Sequence, residues 1–286
     1  MASEGGRRTD LEVARRSRIL GGGDARTVGI SVASTVLVFA LLAFAITHAP
    51  GWHEVRRTFF DWGQFKASFP EIARAFLLNV KIFSISEAFI LVFALVIAVL
   101  RSLPGPVFFP LRALAIAYAD FFRGVPTILV IAILGFGAPA LELKHIPTST
   151  TFWGIVALVL IYTAYVSEVY RAGIESVHPS QEAAARSLGL SRGRALRYVV
   201  LPQAVRRVIP PLLNDFIGLQ KDTALVGILG AIEAFNQSQI DTDATFNYTP
   251  YLCAAVLFVA ITIPLARFTD VLILRDRRRR QAGRVL

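Results

Sequence analysis

The sequence predicts an all-α fold, a polytopic bundle of about six membrane-spanning helices with both termini cytoplasmic. Three observations lead there. Hydrophobic residues make up 55% of the 286 and mean hydropathy is +0.57, high for a globular domain. Several apolar runs approach the roughly 20 residues needed to cross a ~30 Å hydrocarbon core. These runs are continuous rather than alternating, so the spanning element is a helix and not a barrel strand. The net charge of +10 supplies the orientation. Most of the Lys and Arg fall within 7–26, 101–112, 171–207 and 275–284, whereas the loop 237–249 has none. Basic clusters alternating with base-poor loops form the positive-inside pattern.

In chain order, residues 1–27 read as a polar, Gly-rich cytoplasmic arm. The run 28–47 is an extra N-terminal span, longer than a signal-peptide core and placed behind a long polar leader, so it is expected to stay as an anchor. An outer loop, 49–72, carries Trp52 and Trp62 as interfacial aromatics. The second span, 73–100, ends at Arg101 and the Pro104-Gly105-Pro106 turn. The third, 111–138, begins with an interfacial portion and carries Pro126 inside it. After an outer loop comes the fourth span, 153–169, and then a long cytoplasmic stretch. The fifth span, 208–235, is interrupted by polar residues, the loop 236–249 lies outside, and the sixth span, 250–269, leads to a basic tail, 271–286. That tail, with arginines at 277–280, reads as a stop-transfer and anionic-lipid anchor rather than a nucleic-acid site. Cys253 sits in an apolar run and reads as a small buried hydrophobe.

The stretch His178-Pro179-Ser180-Gln181-Glu182-Ala183-Ala184-Ala185-Arg186-Ser187-Leu188-Gly189-Leu190-Ser191 predicts a short helix and a turn. Ser180 is an N-cap type, Glu182 suits the positive end of the helix dipole, and the alanines favour helix. Gly189 supplies a left-handed stop, and Ser191 opens a second helix. A helix of about eight residues is marginal in water and needs a packing partner. The face Ala184, Ala185 and Leu188 suits insertion into a cleft on another protein.

This stretch resembles the cytoplasmic coupling loop of ABC importer permeases, with Ala184-Ala185, Gly189 and Leu201-Pro202 in register. The resemblance covers about 70–270, with the coupling loop at 178–200, and points to the branch that imports polar amino acids. Arg123-Gly124-Val125-Pro126, Ala164-Tyr165 with Glu168 and Arg171-Ala172-Gly173-Ile174, and Lys221-Asp222-Thr223 are similar to that branch's motifs. The resemblance implies a type I importer permease architecture in a multi-pass cell-membrane protein. Its implied partners are an identical or homologous second permease, two ATP-binding subunits and an extracytoplasmic solute-binding protein, alongside membrane lipid and the amino-acid substrate. Glutamate is slightly favoured over glutamine, arginine or histidine. The coupling residues would be Gln181, Ala184, Ala185, Leu188, Gly189 and Ser191. Two departures stand out: Ala183 takes the place of the family's Glu, and the span 28–47 is additional.

Charge inside a span costs roughly 2.5–3.5 kcal/mol per residue on insertion scales and calls for a role. Glu87, Arg123, Pro126, Glu168, Lys221, Asp222 and Thr223 are the candidates for a translocation pathway or gate, although Glu168 with Arg171 also fits a packing pair. No phosphate-binding loop and no nucleophile motif occur, so ATP and Mg are expected on a partner ATPase and no cofactor or metal on this chain. The competing reading is a self-sufficient secondary transporter or channel for small polar solutes.

Overall fold

The computed structural model describes residues 25–142 and 144–282, with side chains from 27 to 275 apart from residue 143. Most of the N-terminal arm and the arginine side chains at 277–280 therefore lie outside the described residues. These residues form two compact units, one up to Arg57 and one from Thr58 onward. In chain order the helices are α1 (Ala25–Thr47), α2 (Trp52–Phe59), α3 (Trp62–Ser102), α4 (Phe109–Gly124), α5 (Thr127–Ala140), α6 (Thr150–Glu175), α7 (Pro179–Ser187) and α8 (Arg192–Ala195). A π-helical turn, Leu196–Val200, leads into α9 (Leu201–Asp222), which tightens into a 3-10 helix, Thr223–Leu229; α10 (Ala234–Thr245) and α11 (Thr249–Ala282) complete the chain.

In the first unit α1 is apolar all round and exposed along its described length. That is the pattern of a helix meant for lipid.

In the second unit α6 is the central helix. Ala157, Leu158, Ile161, Tyr162 and Val166 are buried, and α3, α4, α5 and α9 pack around them. The long α3 buries one narrow stripe, Ile72, Phe76, Asn79, Ile82, Ser86, Ile90, Ala94 and Ala98, at spacings of three and four. Its other faces stay apolar and exposed, with Leu77, Phe89, Val92 and Leu95 available to lipid. Leu219 of α9 and Val226 and Leu229 of the 3-10 helix join the same core, while Ile72, Phe76, Ala234, Cys253 and Ala254 form a second cluster.

Four helical stretches are long and apolar enough to cross a membrane (27–47, 52–102, 150–175 and 249–275), and the bent pair α4–α5 makes a possible fifth. The expected span 208–235 is instead α9 plus the 3-10 helix. Asn214, Asp215, Gln220, Lys221 and Asp222 make it too polar to qualify on composition. Three other expectations change. Between α4 and α5 the chain turns by 101°, because Pro126 lacks the N–H that would continue the ladder. The expected outer loop 49–72 is largely helical, since Asp61 caps α3 by accepting from the N–H groups of Gly63 (2.8 Å) and Gln64 (3.1 Å). The expected loop 236–249 is mostly α10, capped by Glu233.

Candidate functional site

The predicted coupling stretch forms helix α7 followed by a sharp turn. Its cap is His178 rather than Ser180: the His178 ring nitrogen Nδ1 accepts from the Ser180 N–H at 3.2 Å, and Pro179 occupies the first helical position. Proline is favoured there because its missing N–H would be orphaned anyway. Gln181 is thus the third helical residue, a place that a cap at Ser180 would have given to Ala183. At the other end Gly189 has φ +87°, its N–H donates to Arg186 O (3.0 Å), and Leu190 N–H donates to Ala185 O (3.2 Å). These two bonds make a Schellman stop. Leu188 is 85% exposed and Ala184 and Gln181 are exposed, but Ala185 is buried against the unit itself, so it does not share their outward face. Ser191 occupies the cap position of α8 without a side-chain capping bond.

The loop is tied to the bundle. Arg207 of α9 donates to the carbonyl of Ser176 at the end of α6. Val177, Val200 and Ala204 bury a small apolar contact beneath the turn.

One step into the bundle, Glu168 of α6 gathers three arginines from three helices. Arg101 at the end of α3 lies 2.5 Å away, Arg171 2.7 Å and Arg123 of α4 3.5 Å. Arg171 also reaches Glu175 at 2.5 Å. The Glu168 and Arg101 side chains are 17% and 10% exposed. A carboxylate so placed cannot be removed without leaving Arg101 uncompensated, a loss of about 3–5 kcal/mol for a buried pair. Arg123 precedes the α4–α5 bend, so this cluster joins the bend to the helix that feeds α7. From the sequence Arg101 reads only as the end of the second span; its contact spans α3 and α6, and only packing reveals it.

The remaining pathway candidates lie elsewhere. Lys221 is exposed, and half-buried Asp222 accepts from the Tyr162 hydroxyl at 2.9 Å. Thr223 is fully buried, accepting from Asn79 Nδ2 (3.1 Å) and donating to Gln220 O (2.7 Å). It therefore packs rather than facing the space Lys221 faces. Half-buried Glu87 of α3 carries the same charge as half-buried Asp215 of α9, near enough for the two to repel. The candidates thus sort into a Glu168 cluster, a Glu87–Asp215 pair and the end of α9. Sequence reasoning missed Asn79, Tyr162 and Glu233. A lone acid at 233, inside a stretch taken as a span, was the available signal.

An all-helical bundle of apolar helices, a short exposed helix with a glycine stop and charged groups along its interior define a multi-pass membrane permease subunit. A family model for the binding-protein-dependent transport system inner membrane component matches residues 106–278, and the chain belongs to that family. The probable amino-acid permease protein YxeN of Bacillus subtilis is 32% identical over 212 residues, 74% of this chain and 93% of the relative. The probable glutamine ABC transporter permease protein GlnM of the same organism is 35% identical over 161 residues, 56% of this chain and 73% of its own length. The crystal structure of an amino acid ABC transporter with histidines superposes with TM-score 0.67 at 29% identity, covering 76% of this chain and 98% of that one. The chain is therefore a multi-pass cell-membrane permease of an ABC amino-acid importer.

Proposed function

We propose that this chain and a second permease, identical or homologous, line the pathway of a polar amino-acid importer whose power stroke comes from two separate ATP-binding subunits. ATP and Mg would be held by those subunits, and an extracytoplasmic binding protein would deliver the substrate. The observation that carries the reading is α7: a nine-residue helix, too short to be stable alone, that ends in a glycine stop with Leu188 almost fully exposed. Such a helix gains its missing packing in a cleft on the ATPase. Gln181, Ala184, Leu188 and Gly189 would meet that cleft, and buried Ala185 and the cap position Ser191 would hold the turn behind them. The Glu168 cluster would pass the movement to the bend at Arg123 and Pro126.

Lys221 and Asp222, with Glu87 nearer the middle of α3, would face the solute, a zwitterion that calls for both charges. Both termini and α7 would lie on the cytoplasmic side. Glutamate, slightly favoured, is tested with glutamine, arginine and histidine; GlnM is named for glutamine and the superposed structure for histidines, which supports keeping both. The test is uptake by the assembled complex in liposomes against the purified chain alone. Solute-stimulated ATP hydrolysis and uptake only in the assembled complex are expected. Uptake by the chain alone would favour a secondary transporter or channel.

A further inference from the structure

The deepest-buried charge among the described residues of the second unit is one that neither the coupling turn nor the pathway reading uses. Glu233 is 0% exposed, and both its oxygens accept hydrogen bonds. Oε1 takes the Asn236 N–H (2.8 Å), and Oε2 takes the Phe235 N–H (2.9 Å) and Asn79 Nδ2 (2.9 Å). Asn79, 2% exposed on α3, spends its whole amide here: Nδ2 also donates to Thr223 Oγ1, and Oδ1 accepts from Ala234 N–H (3.0 Å). Gln220, one turn before, accepts from Thr262 of α11 (3.0 Å). The backbone is shaped around the carboxylate. A Cβ on Gly227 would overlap Glu233 Oε1, and Asn236 Nδ2 closes the loop onto Gly227 O at 3.3 Å.

Every donor to Glu233 is an N–H, so the site calls for an acceptor oxygen at both positions; a glutamine would turn its own NH₂ against an N–H. A network this buried is strongly destabilised when one member is lost, because the others stay desolvated and unpaired. Such a network resists rearrangement. It grips Thr223, the residue that follows Asp222, and so fixes where α9 ends and where Lys221 and Asp222 sit.

We propose that Glu233 and Asn79 are positioning residues for transport, pinning the end of α9 to α3 so that Lys221 and Asp222 are held in the pathway. The inference rests on the reading that Asp222 lines that pathway. The experiment is a double-mutant cycle on the reconstituted complex, using Glu233→Gln, Asp222→Asn and the pair. Uptake per assembled complex is measured with whichever of radiolabelled glutamine, glutamate, arginine or histidine the unmodified complex takes up fastest.

Each single substitution is expected to lower uptake about tenfold, and the pair to fall no more than about twofold below the worse single, since both act on one group. Effects that multiply, or normal uptake by assembled Glu233→Gln, would overturn the inference while the pathway reading stands. Normal uptake by Asp222→Asn would overturn both. Should Glu233→Gln fail to assemble, Asn79→Ala carries the same cycle, because it leaves Glu233 its two backbone donors and removes the ties of Glu233, Ala234 and Thr223 to α3.

Discussion

Replacing Gly189 by Val isolates the coupling turn from everything else in the fold. At φ +87° a side chain carries a penalty of roughly 1–2 kcal/mol for leaving the preferred backbone regions. A β-branched residue is among the least tolerant there. Nothing lies within 4 Å of the position a Cβ would take, so the perturbation is confined to the backbone and adds no clash with the bundle. If the strain is relieved by abandoning the stop, the bonds from Gly189 N–H to Arg186 O and from Leu190 N–H to Ala185 O are lost. Each such bond contributes about 0.5–1.5 kcal/mol, so together they hold the stop by an amount comparable with the strain, and the strain weakens the turn that aims α7 by about 1–2 kcal/mol. At 1.4 kcal/mol per factor of ten, ATPase retention is expected to fall by up to about tenfold. The assay is co-purification of the ATPase with the permease, together with solute-stimulated ATP hydrolysis in liposomes. Gly189→Val should be made, inserted and able to dimerise, yet be weakened in both. Gly189→Asn, whose side chain tolerates the left-handed region, should keep most of each. Wild-type behaviour of Gly189→Val in both assays would refute the reasoning.

Lys221→Ala and Asp222→Ala should impair uptake while the complex still assembles; normal uptake by both would make them packing residues. Glu168→Ala should destabilise the purified complex by about 3–5 kcal/mol, because Arg101 is left without its partner. A melting temperature within a degree of wild type would show that the cluster contributes little. In a Cys253→Ser background, single cysteines in 237–249 should react with a membrane-impermeant thiol reagent from outside intact cells and those in 178–200 should not. Labelling of the latter from outside would reverse the orientation.

What could be read in the sequence was what depends on neighbours along the chain. Gly189 announced its conformation because a glycine after a run of helix formers is a stop, and Glu168 with Arg171 is an i,i+3 pair on any helix. The helix start was misread by two residues because His178 is an uncommon cap, and Ser180 belongs to the preferred set. Arg101 and Arg123 meet Glu168 only once three helices have packed. Asn79 and Glu233 were illegible for the same reason: an amide inside one apolar run and an acid inside another show nothing of their partnership. Ala185 shows the limit within a single helix. Composition marks the small residues of α7 but not which of them turns inward, and that is decided by how the chain from Val177 to Ala204 folds back beneath it.

The most direct measurement is uptake of glutamine, glutamate, arginine and histidine into liposomes that hold the assembled complex, set against liposomes that hold this chain alone. Uptake of at least one of them that requires ATP and the binding protein, and that is absent with the chain alone, is the predicted result. Accumulation by the chain alone, indifferent to ATP, would contradict it.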